Sequence, residues 1–417
     1  MKRCISARNS TMQNMKNRLD SLMQTEIDNG NAVGTGLFVF KDNKQVYEGF
    51  FGSDVVGGNR KPDKKSIFRM FSMTKPVTSL ACFIAIEQGL FTIDSLVSEF
   101  LPGFKNMKVL TDGKLVDAWR EISVKDCLTM SAGLEYPNDM TAAGLELGKN
   151  LFWPLEAGYP GKKTGTVKLM NETAKYPLLY QPGKHWNYSL CADVIGAVIE
   201  VSSGMRYGDF LKKYIFDPLG MKDTGFYVPA EKLDRLVTMH DKVNGSWVRW
   251  EGTFLGMEKK KYEDPKLQQR PEFESGGAGL VSTPVDYMKF LAVLAGRGVY
   301  PGGFSADGPV NDIRFISEDS WSVMTNAMLD RGQLSKCDWY SMKGYNYGCL
   351  MRVLEDPEAA ETPMIPPGEF GWDGWAGTYF SIDPVNSITT LYFVNVTNGN
   401  REWQMKALKR VIYEYLI

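Results

Sequence analysis

The sequence predicts an α/β (α+β) fold, with an antiparallel sheet flanked by helices, built from both chain ends, and a mostly helical second lobe. Three observations predict it. An amphipathic helix and a β-hairpin open the chain, two strands and a helix close it, and a long helical, loop-rich stretch lies between them. Strands near both ends, separated by helices, imply one shared sheet with the middle of the chain added as a lobe. The expected division is a sheet lobe of residues 1–80 and 190–417 and a helical lobe of residues 81–189, with a cleft between them.

Taken in order, Met15, Leu19, Leu22, Met23 and Ile27 recur at helical spacing over residues 12–28, and Asn29-Gly30 ends that helix. Residues 32–40 and 45–52 read as strands around the turn Lys41-Asp42-Asn43-Lys44. After a Gly- and Pro-containing loop, residues 67–70 lead into a helix that starts at Ser72, runs to Gln88 and stops at Gly89. Pro76 fits its first turn, where a missing N–H has no intrahelical partner to lose. Residues 96–101 end at Pro102-Gly103, and residues 124–130 form a short helix stopped by Ser131-Ala132-Gly133. Residues 136–178, rich in Gly, Pro and aromatics, read as a wall or lid over a cleft. Two helices follow at 192–201 and 207–216. Residues 240–275 are polar with little periodicity and read as a surface excursion. Thr283 caps a helix over 285–295, with Pro284 at its first position. Residues 378–383 and 388–396 are strands separated by Pro384-Val385-Asn386, and residues 403–416 are the last helix.

The totals exclude several classes. At 417 residues the chain can bury a large core, and 43% hydrophobic and 23% charged residues are ordinary globular values. With 48 Lys plus Arg against 49 Asp plus Glu, the net charge of −1 gives no basis for nucleic acid or an anionic membrane as partner. No run approaches the roughly 20 apolar residues of a membrane span, so none is expected. The N-terminus is basic but lacks the apolar region of a secretory signal. Six cysteines without a C-x-x-C pair read as reduced thiols, which points to a cytoplasmic location. Only His185 and His240 are available as histidines, so a histidine-rich metal site is excluded and no metal is expected. No G-x-G-x-x-G opens a helix after a strand, and no cofactor is expected. No G-x-S-x-G is present either, so a nucleophilic serine here has a base other than histidine.

The motif that carries chemistry is Ser72-Met73-Thr74-Lys75 at the start of an apolar helix. A serine and a lysine three apart share one helix face, about one turn apart. A lysine desolvated by apolar neighbours loses proton affinity and can serve as a general base. Backbone N–H groups at the helix start suit a developing oxyanion. The alternative is an N-cap serine with a solvated lysine. Against it, this is the only Ser-x-x-Lys in the chain.

Placed beside Tyr188-Ser189-Leu190 and Gly371-Trp372-Asp373-Gly374, the motif resembles the serine β-lactamase/penicillin-binding-protein superfamily, whose elements are S-x-x-K, Y-x-N or S-x-N, and K-T-G. The phrases PGKHWNYSLCADVIGAVIEVSSG, IFDPLGMKDTGF, GGAGLVSTPVDYMKFL and GWAGTYFSIDP match as well, from about residue 30 to 400. The branch resembled is the class C β-lactamase-like esterases, or family VIII carboxylesterases. The resemblance implies a β-lactamase/transpeptidase-like fold with its active site in the cleft between the lobes. It implies Ser72 as acylated nucleophile, Lys75 as proton acceptor and Tyr188 as proton shuttle. It also implies an oxyanion hole from the backbone N–H groups of Ser72 and Trp375. A phenol beside an ammonium is expected to have its phenolate favoured.

Two departures bear on substrate. Leu190 stands where β-lactamases place asparagine, and Trp372-Asp373-Gly374 stands where they place Lys-Thr-Gly. An alternative register, Trp375-Ala376-Gly377, stays open, and Lys163-Thr164-Gly165 reads as a chance match. Without the lysine, the third motif lacks the cation that binds a carboxylate. Trp372, Gly374, Trp153 and Leu190 are therefore expected to line a substrate site for an uncharged group. The expected function is a serine hydrolase, a carboxylesterase for short-chain or aromatic esters. The alternatives are a β-lactamase or D-amino-acid peptidase/amidase, an acyltransferase using the same acyl-enzyme, and a catalytically silent binding protein. The partner is a small-molecule ester or amide, and the oligomeric state is open.

Overall fold

A strand covered on both faces must be apolar in both directions, and residues 36–40 are. The computed structural model describes residues 2–153, 164–250, 270–302, 311–397, 399 and 401–417, with side chains from residue 10 onward. Strand β1 (Gly34–Lys41) is buried along all but its last residue and pairs with β2 (Lys44–Gly52). The turn between them holds Asp42 and Asn43 at φ 52° and 58°, the left-handed pair that matches the twist of a two-residue hairpin.

Five strands from the other end of the chain complete the sheet: β3 (Tyr345–Tyr347), β4 (Arg352–Leu354), β5 (Phe370–Asp373), β6 (Tyr379–Asp383) and β7 (Ile388–Val394). The order is β3-β4-β5-β6-β7-β1-β2, and every neighbouring pair is antiparallel. β1 joins the two chain ends, with Thr35 opposite Val394 and Lys41 opposite Ile388. The expected antiparallel sheet built from both chain ends is therefore present.

The pleat sends alternate residues to two cores. Leu37, Val39, Tyr392 and Val394 meet Met15, Leu19 and Met23 of α1 (Lys2–Asp28) and Leu408 and Ile412 of α5 (Glu402–Leu416). Phe38, Phe380, Leu391 and Phe393 face a larger core. Helices α2 (Thr74–Glu87), α3 (Cys191–Ser203) and α4 (Pro284–Ala295) contribute to it. Each fully buried Val, Leu or Phe contributes about 1.5–3 kcal/mol relative to exposure. Helix α4 starts as its cap residue dictates: Thr283 Oγ1 accepts from Asp286 N at 3.2 Å, and Pro284 follows.

The structure departs from the sequence reading in several places. Helix α1 begins at Lys2 rather than residue 12. Two small hairpins lie where helix, loop or surface excursion was expected, one over Lys108–Thr111 and Lys114–Asp117 and the other over His240–Val243 and Ser246–Arg249. Their turns, Asp112-Gly113 and Asn244-Gly245, have positive φ at both residues. The turn signals were present, but exposed strands lack the alternation that marks a half-buried one. Strands β3, β4 and β5 are too short to show a period. Residues 154–163 of the expected wall and 251–269 of the expected excursion lie outside the described residues. Among the described residues no helix is long and apolar enough to cross a membrane.

Candidate active site

The residue before Ser72 is strained. Phe71 has φ 45°, a region costly for a side chain with Cβ, and it is buried against Met239, Ala278 and Ala376, with the Trp375 ring 5.3 Å away. This packing holds a 3₁₀ turn, Phe71–Met73, that runs directly into α2. Ser72 and Lys75 therefore sit one turn apart, as their spacing required.

Lys75 is fully buried. Its Nζ lies 3.2 Å from Ser72 Oγ and donates to Tyr136 Oη at 3.0 Å and to the Gly277 carbonyl at 2.8 Å. Tyr188 donates from Oη to Ser72 Oγ at 2.6 Å, and its ring lies 4.4 Å from Lys75 Nζ. The structure thus brings Lys75 and Tyr188 both within hydrogen-bond reach of Ser72 Oγ. Burial pushes Lys75 down to about 7, against the opposing pull of Asp193, Cys191 and Asp373. A neutral amine has two N–H groups and one lone pair. Directed at Gly277, Tyr136 and Ser72, these match the three partners of Nζ, with the lone pair left for the serine proton.

The proton affinity of Tyr188 runs opposite to the expectation that its phenolate is favoured. Burial pushes the phenol up, and the hydrogen bond to Ser72 offsets only part of that. Desolvation dominates, so the resting tyrosine is protonated.

Three further residues belong to the site and escaped the sequence reading. Tyr136 and Gly277 are the other partners of Lys75. Asp193, fully buried in the first turn of α3, accepts from Ser275 Oγ at 2.6 Å and from Gly277 N at 3.1 Å. It steadies the turn whose carbonyl receives the lysine. A Cβ on Gly277 would stand 2.7 Å from Asp193 Oδ2 and 2.8 Å from Tyr136 Oη, so only glycine fits there. An acid in the first turn of the apolar run 191–199 was the available signal for Asp193. A backbone carbonyl has no sequence signature.

Around the third motif the outcome is mixed. Gly374 and Trp375 line the pocket that opens from Ser72 and Tyr188, about 450 Å³ in volume. Gly374 is required, because a Cβ would come within 2.5 Å of the Met70 carbonyl just ahead of the nucleophile. Trp372 does not line that pocket. It is 1% exposed, and its ring packs 5.7 Å from Tyr188 and 5.3 Å from Tyr347, beneath the catalytic tyrosine candidate. The β5 pleat turns Trp372 into the core and Asp373 toward the pocket. Leu190 is likewise buried in the core at the start of α3, and Trp153 packs over Gly148 of its own segment. Neither is on the pocket wall, because a loop position read from sequence carries no direction. The aromatic walls are instead Trp339, Tyr340, Tyr345 and Tyr379. Neither histidine lines the pocket, and Lys163 lies outside the described residues.

Comparison with known proteins gives a consistent picture. The Beta-lactamase family model matches residues 19–413. Esterase EstB of Burkholderia gladioli is 26% identical over 386 residues, covering 91% of this chain and 90% of that protein. Lovastatin esterase of Penicillium rubens is 30% identical over 304 residues, covering 67% of this chain and 69% of the other. Among solved structures, EstCE1, described as a hydrolase with promiscuous acyltransferase activity, superposes with a TM-score of 0.76 at 22% identity, covering 96% of this chain and 99% of that one.

Proposed function

Because this chain belongs to the Beta-lactamase family and is a serine hydrolase, we propose that it is a carboxylesterase acting on short-chain or aromatic esters through an acyl-enzyme on Ser72. The observation that carries this reading is the triangle of Ser72 Oγ, Lys75 Nζ and Tyr188 Oη at one end of an aromatic-walled pocket.

The neutral Lys75 amine takes the Ser72 proton as Oγ attacks the ester carbonyl. The backbone N–H groups of Ser72 and Trp375 are assigned to the resulting oxyanion. As the tetrahedral intermediate collapses, the protonated Tyr188 supplies its proton to the departing alkoxide and recovers one from the Lys75 ammonium through the site. Water then attacks the acyl-enzyme with the roles reversed. A phenol that burial keeps protonated suits the acid role better than the base role.

The pH dependence follows from Lys75. Burial lowers its proton affinity, so the basic form is present above about 7 rather than only above 10.5. The kcat/KM for a neutral ester is expected to rise about tenfold per pH unit below that point and to level off above it. A pH–rate profile with no inflection between about pH 6 and 8 would remove Lys75 as the base.

The reading is tested against the β-lactamase alternative by intact mass and turnover with p-nitrophenyl butyrate and a β-lactam side by side. The expected result is p-nitrophenol release with the ester and no stable adduct or turnover with the β-lactam. The reverse pattern overturns the reading. An alcohol added to the ester assay addresses the acyltransferase alternative, because the related structure named above combines both activities. A transesterified product in place of free acid would favour it.

A further inference from the structure

The third motif carries no cation in sequence, yet the fold delivers one to the same pocket from a neighbouring strand. Arg352 of β4 stands opposite Gly371 of β5 and is almost fully buried. Its guanidinium carbon lies 5.3–5.6 Å from the ring centroids of Tyr345, Trp372 and Tyr379. Nη1 donates to Asp373 Oδ2 at 2.8 Å. Both Arg352 and Asp373 line the pocket that holds Ser72, and the Asp373 side chain is 41% exposed against 8% for Arg352. The cation is set back in the wall, and its carboxylate partner stands toward the open space.

A buried guanidinium needs a counter-charge. Next to a nucleophile's pocket that counter-charge can come from a substrate or from the protein. Here we propose that Asp373 occupies the seat on Arg352 that a substrate carboxylate would otherwise take, and so restricts the enzyme to esters uncharged on the side that faces Arg352. This inference rests on the acyl-enzyme reading of Ser72.

The rest of the pocket agrees. Its other lining cations also carry carboxylates of their own among the described residues: Lys409 with Glu369, Lys406 with Glu402 at 2.9 Å, and Arg401 with Glu26 at 3.5 Å. A second carboxylate entering this space would give up its water, meet no cation still lacking an anion and face Asp373 at close range. Like charges sharing one site are disfavoured, whereas a guanidinium–carboxylate contact in a desolvated place is strong. The pocket therefore discriminates by having neutralised itself.

The test compares p-nitrophenyl butyrate with mono-p-nitrophenyl glutarate, which adds a terminal carboxylate, on wild type and Asp373→Asn. Wild type is expected to favour the neutral ester by at least about tenfold in kcat/KM. Asp373→Asn is expected to shift that ratio at least about tenfold toward the anionic ester, and Arg352→Gln added to it should return the ratio to its starting side. An unchanged ratio in Asp373→Asn, with butyrate still turned over, overturns the proposal. So does a wild type that hydrolyses both esters equally, which needs no variant to fold. A thermal melt supplies a readout apart from activity: acetate should raise the Tm of Asp373→Asn and leave wild type unmoved, because only the variant has an anion seat to fill. Failure of the acyl-enzyme reading shows differently, as absence of Ser72-dependent turnover of either ester.

Discussion

Ser72→Ala is expected to abolish hydrolysis of p-nitrophenyl butyrate while leaving the fold intact, with kcat lower by a factor on the order of 10⁶. No second serine in the chain has a lysine three residues on, so no other hydroxyl can take over. The structural cost is small. Only Oγ is removed, and Lys75 keeps its bonds to Tyr136 and Gly277. The rate and the thermal melt should be measured on the same preparation. Retained turnover in a variant that melts like wild type would sink the mechanism.

The second large effect concerns the two groups that move protons. Lys75→Met and Tyr188→Phe are each expected to lower kcat by about 10²–10⁴, the usual worth of a positioned proton-transfer group. The double variant is expected to be barely worse than either single one. Lys75 Nζ and Tyr188 Oη meet on the same oxygen, at 3.2 and 2.6 Å, so removing either breaks one shared proton path. Groups that act as one unit are strongly non-additive. Methionine is chosen for Lys75 because the site is fully buried and a shorter side chain would leave a cavity. The variant also removes the amine that donates to Tyr136 and Gly277, so its Tm should fall. Losses that simply multiply would mean that Lys75 or Tyr188 only packs.

Much of the molecule was legible because the deciding forces act between near neighbours in the chain. The 3.6-residue period, Thr283 as cap and Gly89 as stop are local, and so is the turn at Asp42-Asn43; each stands close to where it was read. The Ser72–Lys75 juxtaposition is equally local, since a helix places residues three apart on one face whatever surrounds it. Strands β6 and β7 were readable because they are long and apolar, whereas β3, β4 and β5 span three or four residues each and show no period.

What only the tertiary structure decided is direction and desolvation. Trp372 and Asp373 are adjacent, yet the pleat of β5 buries one beneath Tyr188 and turns the other to the pocket. Tyr136, Asp193 and Gly277 converge on Lys75 from three distant stretches, and their meeting has no trace in any single one. Arg352 reaches the third motif from another strand, restoring beside the pocket a cation that the motif itself lacks. The proton affinities of Lys75 and Tyr188 follow from the water that these neighbours exclude. Residue identity and spacing determined which groups could do chemistry. Burial, which is summed over the whole chain, decided their charge states, and the geometry of the sheet decided which of them face the substrate.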